Sequence, residues 1–401
     1  GKSAGKGGKG GKGGQEGKGG GKSQKGKDKD KGGGGGGKGK GKGAKGGKEE
    51  RPGTAKSWDG EIAKEAKEEA AKVVAGAAEE EGEVDGGSSS TRALVEALRA
   101  FSTPQWWLIG QRNAEEIAAA PRRRAKPEEF RKICEERHAE MRKVYESTMN
   151  QDSEQRWLRK VSADGTSGDK VASLTMLIQV CPVFATGSIK ALLTMAGRTA
   201  RSDSMMAVDA LKELFVENLL PERKLKTFTQ MDPISPKGLK KATFTEICVA
   251  CYFEDYLKTA FAAFVQILSE AGHNTVAFIK TKAIRTICEL LTAKPEQERA
   301  LLAILVNKLG DSSPKISSNI AFSVKKLLEA HPMMKTAIVK EVEAFLVRPN
   351  ITQRSQYFAV LLLSELTLGK NDGALASTMI RLFVARLEAS LRKPALTKKE
   401  A

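Results

Sequence analysis

The stretch Ser313–Glu329, SPKISSNIAFSVKKLLE, carries the clearest structural signal in the sequence. It opens with a serine that can cap a helix, and the proline after it fits the first helical position. Four apolar residues follow at intervals of four, four and three: Ile316, Ile320, Val324 and Leu327. This spacing places them on one face of an α-helix. The stretch therefore predicts an amphipathic helix whose apolar side packs against another element.

Similar apolar stripes precede this stretch. They are formed by two sets of residues: Val276, Ile279, Ala283, Ile287 and Leu290, then Leu301, Leu305 and Leu309. Both sets recur every three or four residues, as the buried side of a helix does. No comparable run alternates apolar and polar residues between hairpin turns. The sequence therefore predicts an all-α fold.

The helices also repeat at a longer interval. The sequence LLTAKP at 290–295 returns 37 residues later as LLEAHP at 327–332, and a weaker copy, LLSEL at 362–366, follows after another 35. A helix pair of this length lies near the lower end of the HEAT and armadillo range, in which each pair covers the apolar face of the next. The sequence therefore predicts a HEAT/armadillo-like helical repeat array. An irregular all-α domain with one chance similarity is the alternative.

Residues 1–55 do not follow this pattern. The first 50 positions hold 24 Gly and 15 Lys against five acidic residues, a net charge of +10 out of +18 for the 401-residue chain. Such a segment has almost no apolar side chain to bury, so we expect a disordered, basic Gly/Lys-rich tail. A tail this basic favours an anionic polymer, most simply nucleic acid, as partner. A solubilising tail without a specific partner is the alternative.

Composition divides the rest of the chain into four parts. Residues 56–90 should form a marginal helix and a linker, and residues 91–150 a helical N-terminal extension. The repeat domain is expected at 151–393, followed by a short tail at 394–401. No initiator Met opens the sequence, so we expect it to begin inside a longer product.

Two adjacent tryptophans, Trp106 and Trp107, stand out in the N-terminal extension. A large, rigid indole can anchor a helix on a core or stack on a nucleic-acid base. The anchoring role is the more usual one, and we expect it here.

No constellation of residues suggests catalysis. The three histidines, His138, His273 and His331, are far apart in sequence and in unlike contexts, unlike a metal cluster or a general base. Cys248 and Cys251 match a CxxC pair, but their apolar helical surroundings favour a role as small hydrophobic residues. The five cysteines are irregularly spaced, which favours reduced thiols over a disulfide framework. We expect no enzyme, no cofactor and no small-molecule substrate. Since no apolar stretch approaches ~20 residues, we expect no membrane partner either.

Basic clusters are better candidates for function. Three arginines follow Pro121 and are candidates for a nuclear import element or an RNA contact, with a solvated turn as the alternative: Arg122, Arg123 and Arg124. The loop Gln230–Lys241 interrupts the helices with two prolines and a glycine. Six further candidate nucleic-acid contacts flank this loop or lie in it: Arg223, Lys224, Lys226, Lys237, Lys240 and Lys241.

Seven segments of the helical region carry a family resemblance, in order along the chain: DKVASLTMLIQ (Asp169–Gln179), MMAVDALKELFVENLLPERKLKTF (Met205–Phe228), YFEDYLK (Tyr252–Lys258), KPEQERALLAILVNKLGD (Lys294–Asp311), HPMMK (His331–Lys335), EVEAFLVRPN (Glu341–Asn350) and SQYFAV (Ser355–Val360). Together they resemble the nucleolar complex family, whose members carry the CCAAT-binding factor domain. The resemblance covers about residues 155–391 and leaves out the tail and residues 56–148.

The resemblance implies a non-catalytic nucleolar factor in large (60S) ribosomal subunit biogenesis. Its expected partners are pre-rRNA or other nucleic acid, another nucleolar complex protein and a pre-ribosomal particle, and its expected location is the nucleus and nucleolus. It also implies an alternative, a CCAAT-box-associated transcriptional regulator that binds DNA or a DNA-bound partner. The sequence has no zinc finger, no basic-zipper heptads and no clear helix-turn-helix signature, which argues against direct DNA readout.

Overall fold

The structure, a computed structural model, describes residues 97–98, 100–101, 105–119, 126–198 and 203–391. This part of the chain is helical and contains no β-strand, which confirms the all-α prediction for it. Its α-helices are α1 (Ile109–Arg112), α2 (Ala114–Ala119), α3 (Pro127–Met149), α4 (Ser153–Asp164), α5 (Ser167–Val180), α6 (Thr186–Ala196), α7 (Asp203–Leu214), α8 (Lys241–Ala271), α9 (Ala277–Ala293), α10 (Glu298–Asn307), α11 (Pro314–Ala330), α12 (Lys335–Leu346), α13 (Gln353–Ser364) and α14 (Gly373–Leu391). A π-turn, Phe215–Leu219, extends α7, and 3-10 turns lie at Trp106–Leu108, Phe228–Gln230, Lys308–Gly310 and Pro332–Met334.

Helix α11 is the helix predicted from the quoted stretch. It begins at Pro314, and its four stripe residues are buried. The predicted cap was wrong in one respect, because the Ser313 side chain makes no capping hydrogen bond. The backbone N–H of Ser313 instead donates to Oδ1 of Asp311 at 2.9 Å, so an aspartate two residues earlier fixes the turn before the helix.

Of the other two predicted stripes, the second is buried throughout, and the first is buried except at its N-terminal end. In α9 the N-terminal stripe residue Ile279 is only half-buried, and Val276, directly before the helix, is exposed. The first turn of α9 therefore extends past the core that covers its later residues. Leu301 and Leu305 are buried in α10, whereas Leu309 is buried in the 3-10 turn that follows it.

Alternate helices pack side by side in two layers. In one layer α7, α9, α11 and α13 contact one another in that order, and in the other α6, α8, α10, α12 and α14 do. The pairs α8–α9, α9–α10 and α12–α13 join the layers. The two LL-x-A-x-P sequences lie at the ends of the neighbouring helices α9 and α11, where Nε2 of His331 donates to the backbone oxygen of Thr292 at 2.8 Å.

Trp106 anchors the N-terminal extension on the main core, as predicted. It is buried, and its Nε1–H donates to the backbone oxygen of Leu219 at 3.0 Å. Its ring meets that of Phe253 in α8 edge-on, with 5.3 Å between the centroids. The hydrogen bond satisfies the one polar atom of the indole, so the ring can be buried without leaving a donor unpaired.

A small apolar cluster lies beside the main core, where α3 packs along α8. Its buried members are Phe130, Cys134, Phe228, Phe244 and Cys248. The rings of Phe130 and Phe228 meet edge-on at 6.0 Å. We call these five residues the small cluster, because the candidate interface surrounds it.

The five cysteines are free in the structure, three of them buried and two half-buried. Within the described residues, no helix has both the length and the apolar character needed to cross a membrane. The predicted tail at 1–55, the segment 56–90 and the tail at 394–401 lie outside the described residues.

Candidate nucleic-acid interface

The linker Leu220–Thr227 connects the π-turn after α7 to the 3-10 turn Phe228–Gln230 and lies against the core. Glu254 of α8 is buried beneath it. The Arg223 guanidinium donates two hydrogen bonds to this carboxylate, the one from Nη2 spanning 3.1 Å, and the Lys226 backbone N–H donates a third at 2.8 Å. Arg223 therefore compensates a buried negative charge, whose burial without a partner would be costly.

Two more carboxylates hold the same linker. Glu296, buried between α9 and α10, accepts the backbone N–H of Leu225 at 2.7 Å and lies 3.5 Å from Nζ of Lys258. Asp255 accepts the backbone N–H of Phe228 at 3.2 Å. A non-helical segment packed on a core must find partners for its amides, and these carboxylates supply them. We call Glu254, Asp255 and Glu296 the carboxylate clamp.

The three predicted linker cations are therefore not equally available. Arg223 is paired with Glu254, and Nζ of Lys224 lies 2.7 Å from Oε1 of Glu298. Lys226 is exposed and forms no ion pair with the described residues. Most of the positive charge in this segment thus meets carboxylates of the chain itself.

The loop Gln230–Lys241 is at the surface, as predicted. Lys237, Lys240 and Lys241 are all exposed. Nζ of Lys240 lies 3.3 Å from Oε1 of Glu116 in α2, with three quarters of the lysine side chain still open to solvent. Gly238 has φ = 87°, a left-handed conformation that an L side chain rarely adopts, so this residue lets the loop turn between its lysines.

The linker and the loop meet at the small cluster. Phe228 belongs to the cluster, and Met231 and Leu239 from the loop pack against it. Arg131 of α3, which the sequence did not single out, lies at the same place, with its guanidinium carbon 5.9 Å from the Phe228 ring centroid. The exposed cations at this place are Arg131, Lys226, Lys237, Lys240 and Lys241, which we call the basic rim.

Arg122, Arg123 and Arg124 lie outside the described residues. The gap they occupy, 120–125, separates α2 from α3.

No group of metal-binding side chains is found among the described residues. The imidazole of His138 is buried and hydrogen-bonds through Nε2 to the backbone oxygen of Val183 at 3.0 Å. Burial lowers the pKa of His138, so the ring is held neutral in the core. Burial raises the pKa of the Cys251 thiol to about 12, and Cys248 is fully buried. Their placement agrees with a role as apolar packing residues.

The chain matches no protein-family model. It is 34% identical over 244 residues to human CCAAT/enhancer-binding protein zeta, an alignment that covers 59% of this chain and 23% of that protein. It is 28% identical over 268 residues to the ribosome biogenesis protein NOC1 of Chaetomium thermophilum, covering 63% of this chain and 26% of NOC1. It is 30% identical over 222 residues to nucleolar complex protein 1 of Drosophila melanogaster, covering 53% and 19%. The chain thus spans about a quarter of the length of these relatives.

Proposed function

We propose that this chain, whose helical region belongs to the nucleolar complex family, is a non-catalytic scaffold in the biogenesis of the large (60S) ribosomal subunit. It binds pre-rRNA through basic residues and another nucleolar complex protein through its helical surface. The observation that carries the proposal is the similarity of more than half of the chain to proteins named for ribosome biogenesis and the nucleolar complex. The same names support a nuclear, nucleolar location.

The packing of the helices supports a HEAT/armadillo-like array. Alternate helices form two layers, and the two LL-x-A-x-P sequences lie at neighbouring helix ends of one layer. In such arrays each helix pair contacts mainly its neighbours, and the stack presents a long surface for protein partners. Such a surface suits a scaffold that holds other macromolecules together.

The charges support contact with the phosphate backbone rather than with bases. The basic rim is a patch of flexible lysines and one arginine around an apolar cluster, and the first 50 residues add a net charge of +10. Cations of this kind neutralise phosphates and release counterions without reading sequence. Arg223 and Lys224 hydrogen-bond to Glu254 and Glu298, so we assign them to the support of the linker. In the basic rim, Lys240 and Arg131 lie farther from carboxylates, at 3.3 Å from Glu116 and 3.9 Å from Asp255, and stay mostly exposed, so we assign the rim to RNA.

The name of the human relative favours a second candidate function, a CCAAT-box-associated transcriptional regulator. In this function the chain reaches promoters through DNA or a DNA-bound protein. Its described helices pack on one another through their apolar faces, and none carries the basic heptads of a zipper protein.

Co-sedimentation separates the two functions. The tagged full chain is expected in gradient fractions that contain precursors of the large subunit, and sequencing of crosslinked nucleic acid should return pre-rRNA. Promoter occupancy at CCAAT boxes, with free sedimentation in the gradient, would instead support the transcriptional function and contradict the scaffold.

The basic rim is tested by measuring the RNA affinity of the purified chain at several salt concentrations. Lys226→Glu together with Lys237→Glu should lower RNA affinity and reduce its salt dependence, because fewer counterions are released. Lys325→Glu together with Lys340→Glu, two exposed lysines on α11 and α12, is the matched control because it changes the net charge by the same amount. Equal losses in both proteins would show that only net charge matters, and the rim would then have no special part in RNA binding.

A further inference from the structure

Two grooves lie side by side on the layer that contains α7, α9 and α11. One, of about 480 Å³, separates α7 from α9, and the other, of about 590 Å³, separates α9 from α11. The three helices run parallel. For α9 and α11, Lys280 pairs with Asp311 at the starts of the two helices, and Thr292 contacts His331 at their ends. Asp209 and Lys212 of α7 contact Lys282 and Glu289 of α9 in the same order along both helices. The two grooves therefore have the same build and can be compared directly.

The first groove is closed by charge pairs. Lys282 forms an ion pair with Asp209, and Nζ of Lys212 lies 3.1 Å from Oε2 of Glu289, so both contacts cross from α9 to α7. Arg285 adds a hydrogen bond to Glu289 at 2.8 Å. Burial alone would raise the pKa of Glu289, but the bonds from Arg285 and Lys212 outweigh it and hold that pKa below its usual value. The charges facing this groove are thus balanced within the chain.

The second groove is open and apolar. Ile284 of α9 and Ile316 of α11 line it and are buried, and Cys288 lines it half-buried. None of the described residues that line it forms an ion pair across it, and Lys280 of α9 pairs with Asp311, just before α11, outside this lining. Phe322 stands at its edge with 69% of its surface exposed. The corresponding exposed ring at the first groove, Phe278, has the Lys282 ammonium 5.9 Å from its centroid.

The exposed side of α11 adds positive charge to this groove. Lys315, Phe322 and Lys326 are seven and four residues apart, so they share one face of the helix. Both lysines are exposed, and neither forms an ion pair with another described residue. On the opposite wall the charge of Arg285 is already balanced by Glu289. The groove therefore combines an apolar base with cations along one edge.

We propose that the groove between α9 and α11 is the docking site for an amphipathic helix of a partner protein. That helix places large apolar side chains over Ile284, Ile316 and Phe322, and acidic side chains opposite Lys315 and Lys326. The inference deepens the scaffold function proposed above and rests on it, since it assigns a surface and a chemistry to the protein partner.

The groove fits a protein helix better than RNA. An amphipathic helix binds between two parallel helices by inserting apolar residues at i, i+3 or i+4, and i+7. Phe322 extends the apolar base of the groove to the surface, and contiguous exposed apolar surface of this kind marks protein-interaction sites. RNA-binding grooves instead combine continuous positive charge with several stacking rings. Among the described residues that line this groove, Phe322 is the one aromatic ring, so the groove has no row of rings on which bases could stack.

The test uses the purified full chain and two synthetic helical peptides with identical leucines at i, i+4 and i+7. One peptide carries glutamates and the other lysines beside the leucines. Fluorescence anisotropy should show tighter binding of the acidic peptide. Phe322→Asp should weaken it about tenfold or more, as loss of an aromatic hot-spot residue does. Lys315→Glu with Lys326→Glu should reverse the preference toward the basic peptide. Met333→Asp, at a 92% exposed apolar residue outside the groove, is the matched control and should leave binding unchanged.

Carbodiimide crosslinking then locates the peptide. Glutamates of the bound peptide should couple to Lys315 or Lys326 and not to Lys282, which is paired with Asp209. Equal affinity for both peptides, crosslinks outside α11, or displacement of the peptide by an RNA oligonucleotide would each overturn the proposal. The scaffold function fails separately, because a chain that does not co-sediment with large-subunit precursors can still bind the acidic peptide.

Discussion

Replacing Arg223 with alanine is expected to destabilise the chain more than replacing its partner, Glu254, with glutamine. The Glu254 side chain is only 9% exposed, whereas the Arg223 side chain is 45% exposed. In Arg223→Ala the carboxylate stays buried without its cation. In Glu254→Gln the guanidinium rehydrates, and the glutamine oxygen can still accept the N–H of Lys226.

The magnitudes follow from burial. Breaking a fully buried pair costs about 3–5 kcal/mol, and an exposed pair contributes about 0.2–1 kcal/mol. Because one partner here is half-exposed, we expect about 2–3 kcal/mol for Arg223→Ala and about 1–2 kcal/mol for Glu254→Gln. The double variant should cost less than the sum of the two, since both single changes break the same pair.

Urea unfolding followed by tryptophan fluorescence measures the loss, and hydrogen exchange locates it. Exchange should rise at the amides held by the carboxylate clamp, among them those of Leu225 and Lys226. The reasoning would be refuted by an Arg223→Ala protein that is as stable as the parent, has unchanged exchange in the linker and binds RNA more weakly. Arg223 would then be a nucleic-acid contact and not a support of the linker.

Three further outcomes are expected. Leu305→Ala should lower the free energy of unfolding by about 2–5 kcal/mol and raise hydrogen exchange mainly in α10 and the helices that contact it. The control Lys315→Ala should change the free energy of unfolding by no more than about 0.5 kcal/mol. A uniform rise of exchange over the whole chain would favour one globular domain over an array. Deleting residues 1–47 should weaken RNA binding in filter assays and flatten its salt dependence, and an unchanged slope would move the main contact to the basic rim. The pKa of His138 in the folded state is lowered from 6.5, so His138 binds a proton more readily in the unfolded chain, and the free energy of unfolding should fall as pH drops below about 6.5. The fall should be smaller in His138→Gln, and identical pH profiles of the two proteins would contradict the prediction.

The helices were predictable because their signal is local. The four-residue spacing of Ile316, Ile320 and Val324 is set by helix geometry alone, and Pro314 marks the first helical position wherever the helix is packed. Cysteines in an apolar helical run are buried for the same reason, as Cys248 is. A local pattern does not say which layer a helix joins, and the layers came from the structure.

The candidate site was predictable only as a set of charges. Arg223 meets Glu254, 31 residues away, and Leu225 meets Glu296, 71 residues away. No spacing rule links such residues, because the fold alone brings them together. The sequence therefore could not distinguish cations that hold the linker in place from cations that remain exposed. The open groove beside Phe322 was not predicted, for a related reason. The apolar stripe of α11 marks the buried face of the helix and says nothing about its exposed face.

The connections on either side of the small cluster differ in how much change of length they tolerate. In the linker Leu220–Thr227, one inserted residue would move the N–H groups of Leu225 and Lys226 away from Glu296 and Glu254, so that each buried carboxylate loses a backbone donor. The loop Gln230–Lys241 does not require a fixed length around Pro236 and Lys237, because both residues are exposed. A short insertion at Pro236–Lys237 should therefore leave the fold intact and disturb only the basic rim, while the linker accepts only substitutions that preserve its length.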